Sequence, residues 1–342
     1  MCENNAISGL KSVAFRITDI CNLNCSMCGQ AKNRSAKHGI KKHWLELDEI
    51  KKVIDQVEEY RPQIYIWGGE PFMYGNLSAV IEYISSKKLN SFITTNGVLL
   101  NEFIKPIVDC KVAEIAVSLD GFEEFHEKIR GVKGIYSKVL ENLLSLKEYK
   151  KEVGKVLPIV DIHTVVVKDN YRTLYDFVKF INEQNLCRRI RIQLPMFFTV
   201  KMADQYKAYV EDCFGAVNPK SWYGFVDDYS DIDIPVLNEQ LDRIRKEYKN
   251  VLFFPAGAST EEWFHKPEVS FKGKCMTCRN RINIEPDGSV IACTDFPETK
   301  YGNILEHSIE ELFNNSIITR HRENTKKGSL GICSRCSYFY VY

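Results

Sequence analysis

The chain has 342 residues, 44% hydrophobic and 27% charged, with 46 basic against 45 acidic residues and a formal net charge of +1. This composition is that of a globular protein and excludes a disordered or fibrous chain, while the balanced charge gives no field to draw in nucleic acid or an acidic membrane surface. The start, MCENNAISGLKSVAF, lacks the charged end and apolar run of an export signal, and no apolar run nears the roughly 18 residues that span a bilayer, so the expectation is a cytoplasmic protein with no nucleic-acid or membrane partner.

From residue 12 to about 195, strand-like and helix-like segments alternate, the pattern of a parallel sheet built from βα units. The strands read SVAFRIT, QIYIWG, SFITT, EIAVSL, IVDIHTVVV and IRIQLP. Between them, stretches such as LDEIKKVIDQVEEY, NLSAVIEYISSKKL and TLYDFVKFINEQ carry apolar residues every three or four positions. Six such units predict an α/β fold over residues 1–195, an open, partial (β/α)6 TIM-like barrel. His163 on the fifth strand reads as a satisfied core histidine in preference to a substrate contact, and KKHW near residue 42 as a solvated loop. Residues 196–270 break the rhythm with aromatics and acids, hold LNEQLDRIRKEY as one clear helix, and read as an intervening cap over the barrel opening. The aromatics of MFFTV and SWYGF in this segment read as core. In residues 271–342, INIEPDGSVIAC reads as a hairpin whose Gly288 supplies the positive φ of its turn.

Twelve cysteines in a chain without an export signal stay reduced, and clustered spacing then points to metal rather than to disulfides. Cys2, Cys110, Cys187 and Cys213 stand alone and read as small buried hydrophobes. Cys21, Cys25 and Cys28 lie within eight positions directly after the first strand. Four thiolates complete a cubane iron-sulfur cluster, whereas three leave one iron with an open position that a substrate can take. A Cys-x3-Cys-x2-Cys loop after strand one would present such a cluster at the C-terminal edge of the sheet, where α/β folds place their active sites.

That spacing, with Met27 before the last cysteine, resembles the radical S-adenosylmethionine (SAM) superfamily, and further motifs follow in the expected order. WGGEP, with Gly68, Gly69 and Glu70, ends strand two and is similar to the glycine loop that receives the SAM amino group. TTNG, with Thr95 and Asn96, ends strand three, and SLDG, with Ser118 and Asp120, ends strand four ahead of FHEKIRG with Arg130. The resemblance implies SAM-binding roles for these residues, Ser118 and Arg130 lying near the ribose and carboxylate. Each also has a plainer reading: Asn96-Gly97 and Asp120-Gly121 are good turn dipeptides, and Arg130 suits a surface ion pair.

At the other end, Cys275-x2-Cys278 with Cys333-x2-Cys336 has by spacing the pairing of a structural zinc site, but that site leaves Cys293 unexplained. The stretch CMTCRNRINIEPDGSVIACTDFPETKYGNI followed by CSRC resembles the SPASM/Twitch extension of radical SAM enzymes, which implies an auxiliary 4Fe-4S cluster. The Twitch pattern implies Cys275, Cys293, Cys333 and Cys336 as ligands and leaves Cys278 over. The pattern of the GTP cyclase of molybdenum-cofactor synthesis favours Cys275, Cys278 and Cys293 instead. No cysteine follows Cys336, so one auxiliary cluster is expected.

The resemblance implies an oxidoreductase in which a reduced 4Fe-4S cluster delivers one electron to SAM, and the resulting 5′-deoxyadenosyl radical abstracts a hydrogen atom from substrate. The auxiliary cluster would accept an electron or bind substrate, and an external one-electron reductant such as flavodoxin or ferredoxin would be a partner. The barrel begins about a dozen residues from the N-terminus, which favours a small polar metabolite, or a peptide bound without a fused recognition domain. A peptide-modifying maturase, a GTP-cyclase-like enzyme, a zinc-stabilised barrel and a non-catalytic iron-sulfur electron carrier stand as alternatives.

Overall fold

β1 (Ser12–Arg16), β2 (Gln63–Trp67), β3 (Ser91–Thr95), β4 (Glu114–Ser118), β5 (Ile159–Val165) and β6 (Arg189–Gln193) correspond to the strands read from the sequence, each parallel to the next. The computed structural model describes residues 7, 9–32, 44–269, 275–327 and 330–336. A period of two sorts each strand: Val13, Phe15, Ile64, Ile66, Ile93, Ile115, Val117, Ile162, Ile190 and Ile192 are buried in one core with the helices. The helix Leu47–Val57 covers that face through Ile50, Val53, Ile54 and Val57, which recur at three and four positions and are all buried. Each such side chain contributes about 1.5–3 kcal/mol. Helices Leu77–Ser86, Ile135–Glu152 and Leu174–Gln184 cover the same face further along the sheet.

The opposite strand face is polar. Toward the strands' N-terminal ends Arg189 pairs with Glu114 and Asp161 at 2.8 Å each, and Arg191 pairs with Asp161 at 2.6 Å and with Glu114. This network fills one end of the barrel and leaves the strands' C-terminal ends for chemistry.

Residues 196–270 fold together with the barrel sheet. They supply a seventh parallel strand, β7 (Val251–Phe254), paired with β6 from Ile190↔Val251 to Gln193↔Phe254. The helix Ile234–Glu247 ties this strand to the barrel, where Gln240 accepts the Tyr175 N–H at 3.1 Å and Glu247 accepts the Tyr175 hydroxyl at 2.7 Å. The helix Val200–Phe214 belongs to a second apolar cluster with Phe198, Trp222, Phe225, Phe296 and Ile332. Phe197, Phe198, Trp222 and Phe225 are core as expected, while Tyr223 is 58% exposed.

The Pro-Asp-Gly hairpin forms between β8 (Arg281–Ile284) and β9 (Ser289–Ile291), with Gly288 at φ +80°. β8 also lies parallel to β1, Ser12 opposite Arg281, and β10 (Lys300–Asn303) runs antiparallel to β9. One ten-stranded sheet results, in the order β10-β9-β8-β1-β2-β3-β4-β5-β6-β7. Cys213 is buried and Cys110 and Cys187 are half-buried. Cys2 and residues 41–43 of the KKHW stretch lie outside the described residues. Among the described residues no helix is long and apolar enough to cross a membrane.

Candidate active site

The loop after β1 is held in place by its neighbours' backbones. Gly69 N–H donates to Thr18 O and Glu70 N–H to Ile20 O, both at 2.8 Å. Ser26 N–H donates to Ile129 O at 2.8 Å and Asn24 N–H to Arg130 O at 3.3 Å. A Cβ on Gly68 would stand 2.4 Å from Thr18 O, and one on Gly69 2.1 Å from Ile20 O, so these glycines are needed for the loop itself to close against β2.

Cys21, Cys25 and Cys28 line one cavity with Met27, Gly68, Gly69, Thr95, Asn96, Ser118 and Arg130, and among the described residues no fourth cysteine lines it. Each thiol has a donor: Leu23 N–H to Cys21 Sγ at 3.5 Å, Ala31 N–H to Cys28 Sγ at 3.4 Å, and Arg130 Nη1 to Cys25 Sγ at 3.7 Å. Donors aimed at sulfur suit thiolates, and three thiols beside an open space fit a cluster with one vacant coordination position.

Glu70 lines this space as well, whereas Asp120 acts at one remove from it. The Glu70 carboxylate, 1% exposed, accepts from Phe72 N–H (3.1 Å), Thr95 Oγ1 (2.7 Å) and Asn96 N–H (2.7 Å), so it braces the end of β2 against the end of β3. Asn96 in turn donates to Asn22 Oδ1 in the cysteine loop at 2.8 Å. Asp120 does not line the cavity; it accepts the Arg130 Nε–H at 2.6 Å and the Val165 N–H at 2.9 Å. Arg130 is thus not in a surface ion pair: it is 8% exposed, its fellow ion Asp120 is fully buried, and its charge is aimed at Cys25. Asp120→Ala, which strands the guanidinium, is expected to cost about 3–5 kcal/mol in urea unfolding.

Two histidines under this layer make stability depend on pH. His126 Nδ1 accepts the Asp120 N–H at 3.2 Å, and burial followed by the Arg130 charge holds its pKa at about 4, below the ordinary 6.5. His163, opposite Ser118 in the sheet register, is held at about 3 by burial and by Arg191. The core reading of His163 meets one departure, because its Nε2 is buried without a partner among the described residues. Both rings are neutral in the fold, so the stability they contribute is full above pH 6.5 and is lost as pH falls toward 4 and 3. Glu70 works in the opposite sense: burial raises it from 4.5 to about 7, and its contribution is present below 4.5 and lost as pH rises through 7. His126→Gln is expected to flatten the acid side of the stability profile by about 1.4 kcal/mol per pH unit, read from urea midpoints below pH 6.5.

The second set of thiols converges on a different cavity. Cys275, Cys293, Cys333 and Cys336 line it together, and Cys278 does not. Cys278 is buried in the main core, its thiol directed to Cys275 O at 3.6 Å, and hydrogen bonding from Cys278 holds the neighbouring Cys275 thiol below the ordinary thiol range. Among the described residues no group of three or more His, Cys, Asp or Glu side chains is arranged to hold a single metal ion. Tyr206, 2% exposed, lines the same cavity, its buried hydroxyl has no partner among the described residues, and an orphaned donor among thiols fits a group carrying sulfur acceptors.

A third cavity, of about 280 Å³, joins the two. It shares Met27, Cys28, Gln30, Tyr65, Trp67 and Gly68 with the first and reaches Cys336 of the second, with Gln193, Phe225 and Asp295 on its walls. Beside it Arg16, buried, donates to Glu285 and Gln30, each at 2.8 Å, and its guanidinium lies over Trp67. Sequence reasoning passed over Arg16, Trp67, Gln193 and Asp295. Their one signal was position, at or just beyond a strand's C-terminal end or two residues after a clustered cysteine.

Residues 15–181 match the family model of the Radical SAM superfamily, and residues 275–337 that of an iron-sulfur cluster-binding domain, SPASM. Over 179 residues the sequence is 30% identical to Fe-coproporphyrin III synthase of Methanosarcina barkeri, an alignment covering 52% of this chain and only 42% of that relative. It is 25% identical over 337 residues to the cysteine-type anaerobic sulfatase-maturating enzyme of Clostridium novyi, covering 93% of this chain and 83% of the relative. The fold is similar to that of Streptococcus suis SuiB, solved bound to S-adenosylmethionine and bound to precursor peptide SuiA. Both superpositions have a TM-score of 0.64, with 18% and 17% identity, over 96% of this chain and 72% and 71% of the SuiB chains.

Proposed function

The chain is a radical SAM superfamily enzyme with a C-terminal SPASM iron-sulfur domain, and from that premise we propose that it oxidises a peptide by abstracting a hydrogen atom from it. The observation that carries this reading is the cavity with Cys28 on one wall and Cys336 on another, so that a substrate lying in it faces both sets of thiols at once. A peptide is preferred over a small polar metabolite for two reasons: the relative aligned along 93% of this chain is a sulfatase-maturating enzyme, and the similar SuiB fold has been solved with a precursor peptide.

Cys21, Cys25 and Cys28 would hold the SAM-binding cluster, and Cys275, Cys293, Cys333 and Cys336 the auxiliary one, with Cys278 as a hydrogen-bonding neighbour of Cys275. When bound, these groups supply one-electron cleavage of SAM at the first cluster and one-electron acceptance at the second, fed by an external donor such as a flavodoxin or ferredoxin. The chain's own work is placement. Met27, Gly68, Gly69, Thr95, Asn96 and Ser118 shape the SAM space, Glu70 and Asp120 fix the groups around it, and Arg130 sets a positive charge beside the first thiolates. Gln193 and Asp295 offer hydrogen bonds to a substrate, and Trp67 and Phe225 offer apolar walls that keep water from a reactive intermediate.

The test uses deuterated cell extract divided by size into peptides and small metabolites, each incubated anaerobically with loaded enzyme, SAM and dithionite. Deuterium in 5′-deoxyadenosine from the peptide fraction supports the proposal. Deuterium from the small-molecule fraction alone would return the metabolite reading, and no 5′-deoxyadenosine at all would favour the electron carrier.

A further inference from the structure

Tyr206 occupies the buried stripe Met202, Ala203, Tyr206, Val210 and Cys213 of the helix Val200–Phe214, whose N-cap Thr199 accepts the Met202 N–H at 3.3 Å. Its ring packs on Phe296 at a centroid distance of 4.7 Å, a contact phenylalanine would make equally well. The hydroxyl is what needs explaining: it is buried, it belongs to a residue that lines the cavity of Cys275, Cys293, Cys333 and Cys336, and no atom of the described residues pairs with it. Tyr209, one helical turn on and lining the same cavity, has its hydroxyl committed to His321 Nδ1 at 2.7 Å. A buried hydroxyl without a partner is destabilising, so its natural acceptor is whatever fills the cavity.

We propose that Tyr206 donates a hydrogen bond to a sulfur of the auxiliary cluster and thereby raises that cluster's reduction potential, making it the stronger electron acceptor. The proposal rests on the assignment of the four thiols as cluster ligands. A donor to sulfur stabilises the reduced, more negative state over the oxidised one, which is why hydrogen bonds to the sulfurs help set iron-sulfur potentials. The segment between barrel and SPASM domain thus becomes part of the redox centre, and Tyr206 is a positioning and tuning residue with no contact to substrate required.

The experiment uses the full chain with Cys21, Cys25 and Cys28 replaced by alanine, so that the auxiliary cluster alone gives the signal in an EPR-monitored redox titration. Tyr206→Phe in this background is expected to retain the parent's iron and to lower the potential by about 59 mV, a tenfold change in the ratio of reduced to oxidised cluster at fixed potential. Tyr209→Phe is expected to leave the potential within a fraction of that shift. An unchanged potential in Tyr206→Phe with about four irons bound would overturn the tuning role alone, whereas a parent that binds no iron would overturn the ligand assignment and the proposal with it. Thermal melting of the metal-free protein supplies an independent reading. Tyr206→Phe should melt no lower than its parent, and a lower melting temperature would mean that the hydroxyl has a protein partner and the inference fails.

Discussion

Replacing Cys21, Cys25 and Cys28 together by alanine is expected to abolish 5′-deoxyadenosine formation and to lower bound iron from about eight to about four per chain. The three thiols are half-buried in the lining of a cavity, so their removal should leave the fold intact by circular dichroism while removing the thiols that would hold the first cluster. The donors that now serve them, two backbone N–H groups and Arg130, have no comparable acceptors in alanine. Iron, sulfide and zinc content after anaerobic preparation, with SAM cleavage assayed alongside, checks the expectation. A wild type with about four irons and one zinc would instead make the C-terminal region structural, and the auxiliary electron acceptor would have to be abandoned.

Gly69→Ala is expected to lower SAM cleavage by about a hundredfold or more, the scale on which a displacement of roughly 1 Å is felt at a reacting centre. The added Cβ would meet Ile20 O at 2.1 Å, the Ile20 carbonyl carbon at 2.5 Å and Asp19 O at 2.8 Å. All three atoms are backbone, so no side chain can rotate aside, and the residue pushed is the neighbour of Cys21. The Gly69 N–H to Thr18 O bond would be strained by the same movement. Gly75→Ala is the matched control, because a Cβ there meets nothing within 4 Å. The rate of 5′-deoxyadenosine release from both variants, normalised to iron content, measures the effect. A Gly69→Ala enzyme as fast as wild type would mean that the cysteine loop is free to move away from β2.

The six barrel strands were legible because each sets β-branched residues on one face, and Ile50, Val53, Ile54 and Val57 announce a helix with equal clarity. β7 was not, because VLFF is four apolar residues without alternation, a signal that a buried helix fragment gives equally. The hairpin of β8 and β9 was legible from its local turn, but the pairing of β8 with β1 joins residues about 270 positions apart and has no local signature. At the site, cysteine spacing pointed to both sets of thiols. The separation of Cys278 from the other four depends on which way the one-turn helix Thr277–Asn280 turns its single thiol relative to Cys275 just before it, and spacing alone does not state that. Glu70 lines the cavity and Asp120 does not, and the backbone, Thr95 and Arg130 donors that hold their carboxylates are partners that only the assembled strand ends supply.

Because β8 is seated on β1, the boundary between the two family regions is a seam within one sheet rather than a joint between bodies. Four register pairs, Ser12↔Arg281 to Phe15↔Ile284, and the buried Arg16–Glu285 ion pair cross that seam. Exchanging C-terminal regions among relatives would therefore succeed only where the incoming strand carries a matching register and a carboxylate for Arg16. A chain cut ahead of β8 would bare β1 as an edge strand, open to pairing with another copy of itself. The C-terminal hairpin in this sense finishes the barrel's own sheet, moving its edge from β1 out to β10.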